Sequence, residues 1–228
     1  MEVVVVGGGI VGLASAYYLA SRDAEVVLCE RSTLGSGSTE RSVGGIRAQF
    51  AHPTNIELSL ASMAVWDDFH TTFGLDIAYR RPGYLFLTGD PDVAAALGDS
   101  VRQQQARGIP SRFLEPAGIR ATCPSIHADR YKAASYSPDD GFADPHLALQ
   151  GYLEAARDAG VDIRPKTPVT AIRTQGSAVA GVTAGGERLS PDFVVNAAGP
   201  WAANVATLAG VSIPVEPRRR QVAVIEPT

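Results

Sequence analysis

Three glycines near the start of the chain have the spacing that brings a backbone close to phosphate groups. Gly7, Gly9 and Gly12 fit the pattern G-x-G-x-x-G and directly follow the valine-rich run Glu2–Val6. In such a turn the first glycine permits a tight strand-to-helix connection, the second lets the backbone meet a pyrophosphate, and the third allows close helix packing. The helix start then offers unpaired N–H groups and the positive end of its dipole to the phosphates. The spacing therefore predicts a dinucleotide site.

The residues around these glycines have the pattern of a strand, a helix and a second strand. Glu2–Val6 is typical of a strand buried on both faces of a parallel sheet. Leu13–Arg22 carries small and apolar residues at helical spacing, and Glu25–Glu30 forms a second apolar strand that ends on an acid. Glu30 suits both hydroxyls of a ribose and would repel a 2′-phosphate, which argues against NADP. A glycine-rich turn without a ligand is the alternative.

A long polar loop after the second strand favours FAD over NAD. Arg31–Phe50 is rich in glycine and hydroxyl residues, and its irregular part of about 15 residues exceeds the usual length of such connections. An NAD-binding domain would continue directly into another helix and strand. The backbone amides of the loop and the hydroxyls of Ser38 and Thr39 suit a second pass along an extended cofactor. A NAD-linked dehydrogenase is the less favoured alternative.

The loop sequence GSGSTERSVGGIRAQF, together with the N-terminal glycines, resembles the FAD-dependent amine and amino-acid oxidoreductases of the D-amino-acid oxidase superfamily. The likeness is to the branch of sarcosine oxidase, dimethylglycine dehydrogenase and the dye-linked proline dehydrogenase β-subunit. It implies an α/β fold (α+β overall), with a Rossmann-like FAD-binding domain and an inserted, incomplete substrate domain. Four later segments share the resemblance: Ser137–Val161, Thr167–Ile172, Val194–Ala202 and Pro214–Gln221.

The resemblance also implies which residues contact each part of FAD. Its adenosine and pyrophosphate parts would be contacted by Gly7, Gly9, Ile10, Val11, Gly12, Glu30, Arg31 and the backbone of Val169. The diphosphate and ribityl side of FAD would be held by Ser38, Thr39 and Arg41. The isoalloxazine ring would lie beside Gly44, Gly45 and Ile46. At the end of a strand, Ala198, Gly199 and Trp201 would close over the cofactor.

Simpler roles stay open for some of these residues. Ile46, Val169 and Trp201 also suit a place in the core, and Arg41 also suits a solvated loop.

The chemistry implied by the resemblance is oxidation of a C–N bond in a secondary or tertiary amine or amino acid, of the sarcosine, dimethylglycine or proline type. Hydride transfer to FAD would give an imine that hydrolyses. A substrate carboxylate needs a cation, and arginine pairs with it through two parallel bonds. Arg47 is the substrate-binding candidate, with a loop arginine paired to a nearby acid as the alternative. The sequence identifies no catalytic acid or base.

Histidine and tyrosine positions add little to this prediction. The four histidines lack the spacing of metal ligands, so we expect no metal site. His52 follows the loop closely, and a surface position is the more usual one for it. Tyr84 could face the substrate, although a strand tyrosine more often packs on one face of a sheet.

Composition and charge exclude several classes of partner. The chain has 228 residues, of which 45% are hydrophobic and 19% charged, as is ordinary for a globular protein. A net charge of −4 gives no electrostatic case for nucleic acid or an anionic membrane. Cys29 and Cys123 form no disulfide framework and suit a reducing compartment. No run approaches the roughly 20 apolar residues of a membrane span, so we expect a cytoplasmic location.

Changes in pattern along the chain predict the domain organisation. We expect the FAD-binding domain at 1–75 and 138–212, and the substrate domain at 76–137 and 213–228. Several short strands should follow Val161, and the last of them should rejoin the parallel sheet. The remaining predicted elements are helices at Pro53–Phe73, Pro91–Gly108 and Pro145–Gly160, a strand pair within Asp76–Asp90, and a strand at Gln221–Ile225.

Proteins of the resembled branch continue well beyond the PVEPRRRQ segment. We therefore expect this chain to be the N-terminal part of such a protein, or to have a partner subunit that supplies the remainder. The alternative function is a non-catalytic FAD-binding subunit, or a truncated fragment that needs a partner chain.

Overall fold

A computed structural model describes residues 1–224 of the chain, which divides into two compact units. The first unit comprises Met1–Ser42, Phe73–Leu75 and Pro145–Val222. The second unit comprises Val43–Thr72 and Asp76–Asp144, together with residues 223–224.

Strands and helices alternate along most of the chain. The strands within residues 1–224 are β1 (Glu2–Val6), β2 (Glu25–Cys29), β3 (Gly45–Ile46), β4 (Tyr84–Thr88), β5 (Arg112–Leu114), β6 (Ala133–Ser137), β7 (Gly141–Phe142), β8 (Asp162–Arg164), β9 (Val169–Gln175), β10 (Ala178–Ala184), β11 (Glu187–Leu189) and β12 (Phe193–Asn196). The α-helices there are α1 (Ile10–Ala20), α2 (Pro53–Asp67), α3 (Phe69–Phe73), α4 (Pro91–Gln105), α5 (Pro116–Thr122), α6 (Pro145–Asp158) and α7 (Ala202–Leu208).

The first unit is built on a parallel sheet in the order β12-β1-β2-β8. Helices α1 and α6 pack together, and α1 contacts both central strands of the sheet. An antiparallel sheet, β11-β10-β9, shares a core with β1 and β2, in which Val4, Val6 and Cys29 join Ile172 and Val182. Because β1 is covered in this way, all four of its valines are buried, as the continuous apolar run predicts.

The second unit contains an antiparallel sheet in the order β4-β6-β5 and a short two-stranded ribbon of β3 and β7. Ile119 of α5 packs with Leu85 and Leu87 of β4 on one face of the sheet. Side chains alternate along a strand, so Tyr84 and Phe86 lie on its other face. A separate apolar cluster joins Ala48 to residues of α2.

The predicted α/β fold with a parallel sheet is confirmed, and the last strand, β12, rejoins that sheet beside β1 as expected. The helix predicted over Pro53–Phe73 is interrupted at Asp68, where α2 ends and α3 follows. The helices predicted over Pro91–Gly108 and Pro145–Gly160 are present as α4 and α6.

The strand pair predicted within Asp76–Asp90 is wrong, because β4 is the single strand there. Arg80 forms only an isolated bridge to Phe142, and Pro82 and the left-handed Gly83 (φ +88°) separate that bridge from β4. The strand predicted over Gln221–Ile225 is absent from residues 221–224, and Ile225 lies outside the described residues.

The compact units and the predicted domains divide the chain differently. The predicted FAD-binding domain includes residues 43–72 and 138–144, which pack within the second unit. One reason is that β3 pairs with β7. The pairing continues just beyond the two strands, where the Ala143 N–H donates to the Gly44 carbonyl at 3.0 Å. The predicted domains assign parts of the chain to FAD or to the substrate, and this assignment stays a prediction.

None of the helices within residues 1–224 has the length and apolar character that crossing a membrane requires. Nor do His, Cys, Asp and Glu side chains converge there in groups of three that could hold a metal ion.

The two cysteines should differ sharply in reactivity. Cys29 lies in the core and is 1% exposed, and burial raises the pKa of its thiol to about 11, whereas Cys123 is partly exposed. At pH 8 the reactive thiolate form of Cys29 is therefore scarce. We expect a chromogenic aryl disulfide to modify one thiol per native chain at pH 8, and two after unfolding. Rapid modification of the native Cys123→Ser variant would contradict the burial of Cys29.

Candidate functional site

The candidate cofactor site of the first unit lies where three neighbouring parallel strands end. The Gly7 N–H, directly after β1, donates to the Cys29 carbonyl of β2 at 2.9 Å. The Ala197 N–H, directly after β12, donates to the Val6 carbonyl of β1 at 2.9 Å. These bonds bring the glycine turn, Glu30 and the segment after β12 to one edge of the sheet. Ligands of open α/β sheets bind at such carboxyl ends.

Two of the three predicted glycines are required by close backbone contacts. Gly7 has φ +112°, and a Cβ there would lie 2.5 Å from the Ala197 carbonyl oxygen. A Cβ on Gly12 would lie only 1.8 Å from the Gly7 carbonyl oxygen. Both positions therefore exclude a side chain because of the fold itself.

Gly9 is different, because a Cβ there would have only one close neighbour, the end of a side chain. Its φ is −82°, and the nearest atom to an added Cβ would be the Thr39 hydroxyl oxygen at 3.2 Å. Gly9 is the N-cap of α1, so this space adjoins the first helical N–H groups. An open cradle at a helix N-terminus fits the pyrophosphate of FAD.

Glu30 is held in place by the backbone on both sides of the site. Its Oε2 accepts a hydrogen bond from the Gly8 N–H at 2.7 Å, and its Oε1 accepts one from the Ser32 N–H at 2.8 Å. A carboxylate offers about four acceptor positions, so each oxygen keeps capacity for a hydroxyl donor. The half-buried carboxylate is thus held in one orientation, and its contact with a ribose stays a prediction.

The loop after β2 is tied to the start of α1. Thr39 accepts a hydrogen bond from the Ile10 N–H at 3.1 Å through its hydroxyl oxygen. The Arg41 guanidinium donates to the carbonyls of Ser36 and Gly37, the latter at 2.7 Å. Arg41 therefore closes the loop on itself, and Ser38 stands exposed within it. Their contacts with the diphosphate stay predictions.

Arg31, predicted to contact the adenosine, and Gly199 and Trp201, predicted to close over the cofactor, lie near the carboxyl edge of the parallel sheet. Arg31 stacks on Trp201, with its guanidinium carbon 3.9 Å from the ring centroid. Gly199 is left-handed at φ +53°, and Trp201 is 38% exposed, so it is not a core residue. Val169 packs on the core cluster of β1 and β2.

In the second unit, the β3 segment lies under Tyr84. A Cβ on Gly45 would lie 2.7 Å from the Tyr84 hydroxyl oxygen, so a side chain there would displace the end of the Tyr84 side chain. Gly44 is left-handed at φ +69°, and Ile46 packs on the cluster that includes Ala48. Tyr84 therefore contacts the segment predicted to run beside the isoalloxazine ring.

Arg47 follows this segment and has aromatic neighbours. Its guanidinium carbon lies 5.4 Å from the ring centroid of Phe50 and 5.3 Å from that of Phe86. Within residues 1–224 no carboxylate lies within salt-bridge distance of Arg47. The predicted alternative, pairing with a nearby acid, therefore has no counterpart in the described part of the chain.

Asp140 is a buried acid to which sequence reasoning assigned no role. Its side chain is 0% exposed, and it accepts hydrogen bonds from the Ala48 N–H at 2.9 Å and the Gln49 side-chain amide at 3.0 Å. Burial raises the pKa of Asp140, against the lowering effects of these two donors and of the Arg47 charge. The adjacent Asp139 has the same chemistry, so local sequence gives no signal for the difference.

His52 has a structural role instead of a place in the site. Its Nδ1 accepts a hydrogen bond from the Thr54 N–H at 3.3 Å, which makes it the N-cap of α2, and its side chain is exposed.

A family model described as FAD dependent oxidoreductase (DAO) matches residues 2–228. The chain belongs to this family. The resemblance stated from the sequence is confirmed, and so is FAD as the cofactor.

Individual relatives refine this result. The chain is 33% identical to FAD-dependent oxidoreductase domain-containing protein 1 of Bos taurus, over 97% of the chain and 54% of that protein. It is 28% identical to mitochondrial dimethylglycine dehydrogenase of Rattus norvegicus, over 98% of the chain and 26% of that protein. The crystal structure of L-proline dehydrogenase from P. horikoshii superposes with a TM-score of 0.82 at 31% identity, covering 92% of the chain and 56% of that structure. The chain thus spans about half or less of these relatives.

Two glycine variants separate folding from cofactor binding. Gly9→Ala should fold normally, because its methyl group meets only a hydroxyl at 3.2 Å, but the methyl would occupy the phosphate cradle. We expect a loss of about 1–3 kcal/mol in FAD affinity, the usual cost of overpacking. Gly12→Ala should instead destabilise the fold, because its methyl would overlap the Gly7 carbonyl.

The measurements are thermal unfolding and titration with FAD followed by flavin fluorescence. Unchanged FAD affinity in a folded Gly9→Ala variant would show that the pyrophosphate lies elsewhere.

Proposed function

We propose that the protein containing this chain oxidises the C–N bond of an amino acid with an alkylated nitrogen, of the sarcosine, dimethylglycine or proline type. The family membership supports an FAD-dependent oxidoreductase. The rat relative and the structural neighbour are named for dimethylglycine and L-proline, which share a carboxylate and an alkylated amine. These names support the narrower substrate class for this chain.

The observation that carries the proposal is the guanidinium of Arg47, which forms no ion pair with a carboxylate within residues 1–224. An arginine pairs with a carboxylate through two parallel hydrogen bonds, which fix both the position and the rotation of the carboxylate. The flanking rings of Phe50 and Phe86 exclude water from part of the guanidinium surroundings, which strengthens such a pair. Arg47 would thereby hold the substrate by its carboxylate and orient the carbon that bears the nitrogen.

The first unit supplies the groups that hold the cofactor. Gly9 and the first turn of α1 would receive the pyrophosphate, and Glu30 would accept hydrogen bonds from the ribose hydroxyls. Bound FAD supplies the two-electron oxidation by accepting a hydride. In the second unit, we assign the segment from Gly44 to Ile46 to the isoalloxazine ring.

Two further expectations stay predictions. The rat relative is designated mitochondrial, so the cytoplasmic location rests on composition alone. A partner subunit rests on the resemblance, as does the alternative of a non-catalytic FAD-binding chain.

An absorbance experiment tests the proposal directly. The purified chain is loaded with FAD and titrated anaerobically with sarcosine, dimethylglycine and proline, and bleaching of the flavin bands is followed. We expect at least one of these amino acids to reduce the flavin. Bound flavin that none of them bleaches would contradict the proposed substrate class for this chain and would favour the non-catalytic alternative.

Replacement of Arg47 tests the role of its charge. We expect Arg47→Gln to weaken binding of the reducing amino acid by about 1.5–3 kcal/mol, the value of a hydrogen bond to a charged group. Its matched control is Arg112→Gln, since Arg112 is also exposed and lies 5.1 Å from an aromatic centroid, that of Tyr136. The measurement is the apparent Kd from the anaerobic titration. Equal affinities in the two variants would remove Arg47 from the substrate site.

A further inference from the structure

The buried carboxylate of Asp140 lies directly behind the segment that carries Arg47. Both of its oxygens are used: Oδ1 accepts from the Ala48 N–H at 2.9 Å, and Oδ2 accepts from the Gln49 Nε2 at 3.0 Å. Two consecutive residues after Arg47 therefore bind to one side chain. Within residues 1–224 no cation lies within salt-bridge distance of Asp140.

We propose that Asp140 is a positioning residue that fixes the orientation of Arg47 for a substrate carboxylate. This inference rests on the function proposed above for Arg47.

The bond to the Ala48 N–H acts on the backbone of Arg47 itself. That N–H lies in the peptide plane that also contains the Arg47 carbonyl group. A carboxylate that fixes this plane restricts the ψ angle of Arg47, and with it the direction in which the side chain leaves the backbone. The Asp140 carboxylate thus affects the angle at which the Arg47 guanidinium meets a ligand, although it contacts neither the guanidinium nor the ligand.

Gln49 extends the same restraint to β4. Its Nε2 donates to the Tyr84 carbonyl at 3.0 Å as well as to Asp140, and the Gln49 side chain is buried. Tyr84 lies over Gly45, and Phe86 on the same strand flanks Arg47. Asp140 is therefore bonded directly to the segment that carries Arg47, and through Gln49 it is connected to β4, the strand that supplies Phe86.

The main chain at Asp140 is anchored without its carboxylate. Its carbonyl accepts a hydrogen bond from the Gly83 N–H at 3.0 Å, and the next residue, Gly141, pairs with Ile46 in the β3–β7 ribbon. Replacement of the side chain should therefore leave the ribbon in place. What changes is the restraint on the residues that follow Ile46.

Two variants at Asp140 separate the hydrogen bond from the charge. Asp140→Ala removes both acceptors. Asp140→Asn keeps an oxygen for the Ala48 N–H but loses the acceptor for Gln49, whose Nε2 also donates to the Tyr84 carbonyl and so stays in its present orientation. Asp139→Ala is the matched control, because Asp139 is the neighbouring acid and makes none of these bonds.

The experiment titrates the FAD-loaded chain with four carboxylates (acetate, sarcosine, dimethylglycine and proline) and with methylammonium, which lacks a carboxylate. Under anaerobic conditions, perturbation of the flavin spectrum reports binding of acetate and methylammonium, and the concentration dependence of flavin bleaching gives the apparent Kd of any amino acid that reduces it. We expect Asp140→Ala to raise the Kd of the carboxylates at least tenfold, with FAD affinity within twofold of wild type and any response to methylammonium unchanged. Asp140→Asn should restore most of the carboxylate affinity.

The possible outcomes distinguish this inference from the function on which it rests. If the wild-type flavin responds to none of the four carboxylates, the proposed function and the inference fall together. If wild type responds and folded Asp140→Ala has the same carboxylate affinity, the inference alone is overturned. Equal weakening of carboxylates and methylammonium would also overturn it, because a general structural role would affect both. Amide exchange at Ala48 in Asp140→Ala, expected to be faster, confirms that the bond has been removed.

Discussion

The approach of α1 to the turn that precedes it is the constraint on which the first unit depends. A side-chain carbon at Gly12 would stand 1.8 Å from the Gly7 carbonyl oxygen, so a hydrogen is the largest group that fits. This contact sets the start of α1 at the end of β1 and directs the positive end of its dipole toward the carboxyl edge of the sheet. Glu30 takes its orientation from the same turn, through the Gly8 N–H. The same turn therefore positions both the predicted pyrophosphate site and Glu30, the predicted ribose-binding residue.

The second unit also combines a glycine in close backbone contact with an acid that accepts backbone N–H groups. A Cβ on Gly141 would lie 1.9 Å from the Arg80 carbonyl oxygen, so glycine again permits a close backbone approach. An acid again lies beside the glycine and accepts backbone N–H groups, here Asp140 with Ala48. The difference is exposure. Glu30 keeps access to a ligand, whereas Asp140 is fully buried and can affect a ligand only through the residues it holds.

The parts of this structure that sequence predicts are those in which short-range pattern decides the outcome. The run Glu2–Val6, the glycine spacing and the acid at the end of β2 form one local unit, so β1, α1, β2 and the place of Glu30 follow from it. Long-range contacts decide the rest. Residues 76–83 have strand-like composition, but Pro82 and the left-handed Gly83 limit pairing before β4 to a single bridge at Arg80. Arg41 has the charge to bind a phosphate, which stays a prediction, whereas its hydrogen bonds to the loop carbonyls of Ser36 and Gly37 could not be foreseen from the sequence. Asp139 and Asp140 are the same residue type, and only tertiary packing makes Asp140 fully buried while Asp139 stays partly exposed.

Ionisation of the buried carboxylate at position 140 is coupled to folding. Burial raises the pKa of Asp140 above its ordinary value, so between these two pKa values the native state binds a proton more readily than the unfolded state does. The free energy of unfolding therefore falls as the pH rises through that window. The donors at Ala48 and Gln49 and the charge of Arg47 offset only part of the effect of burial. The Asp140 carboxylate oxygens accept hydrogen bonds from Ala48 and Gln49, the two residues that follow Arg47, so the proposed role of Asp140 rests on this geometry.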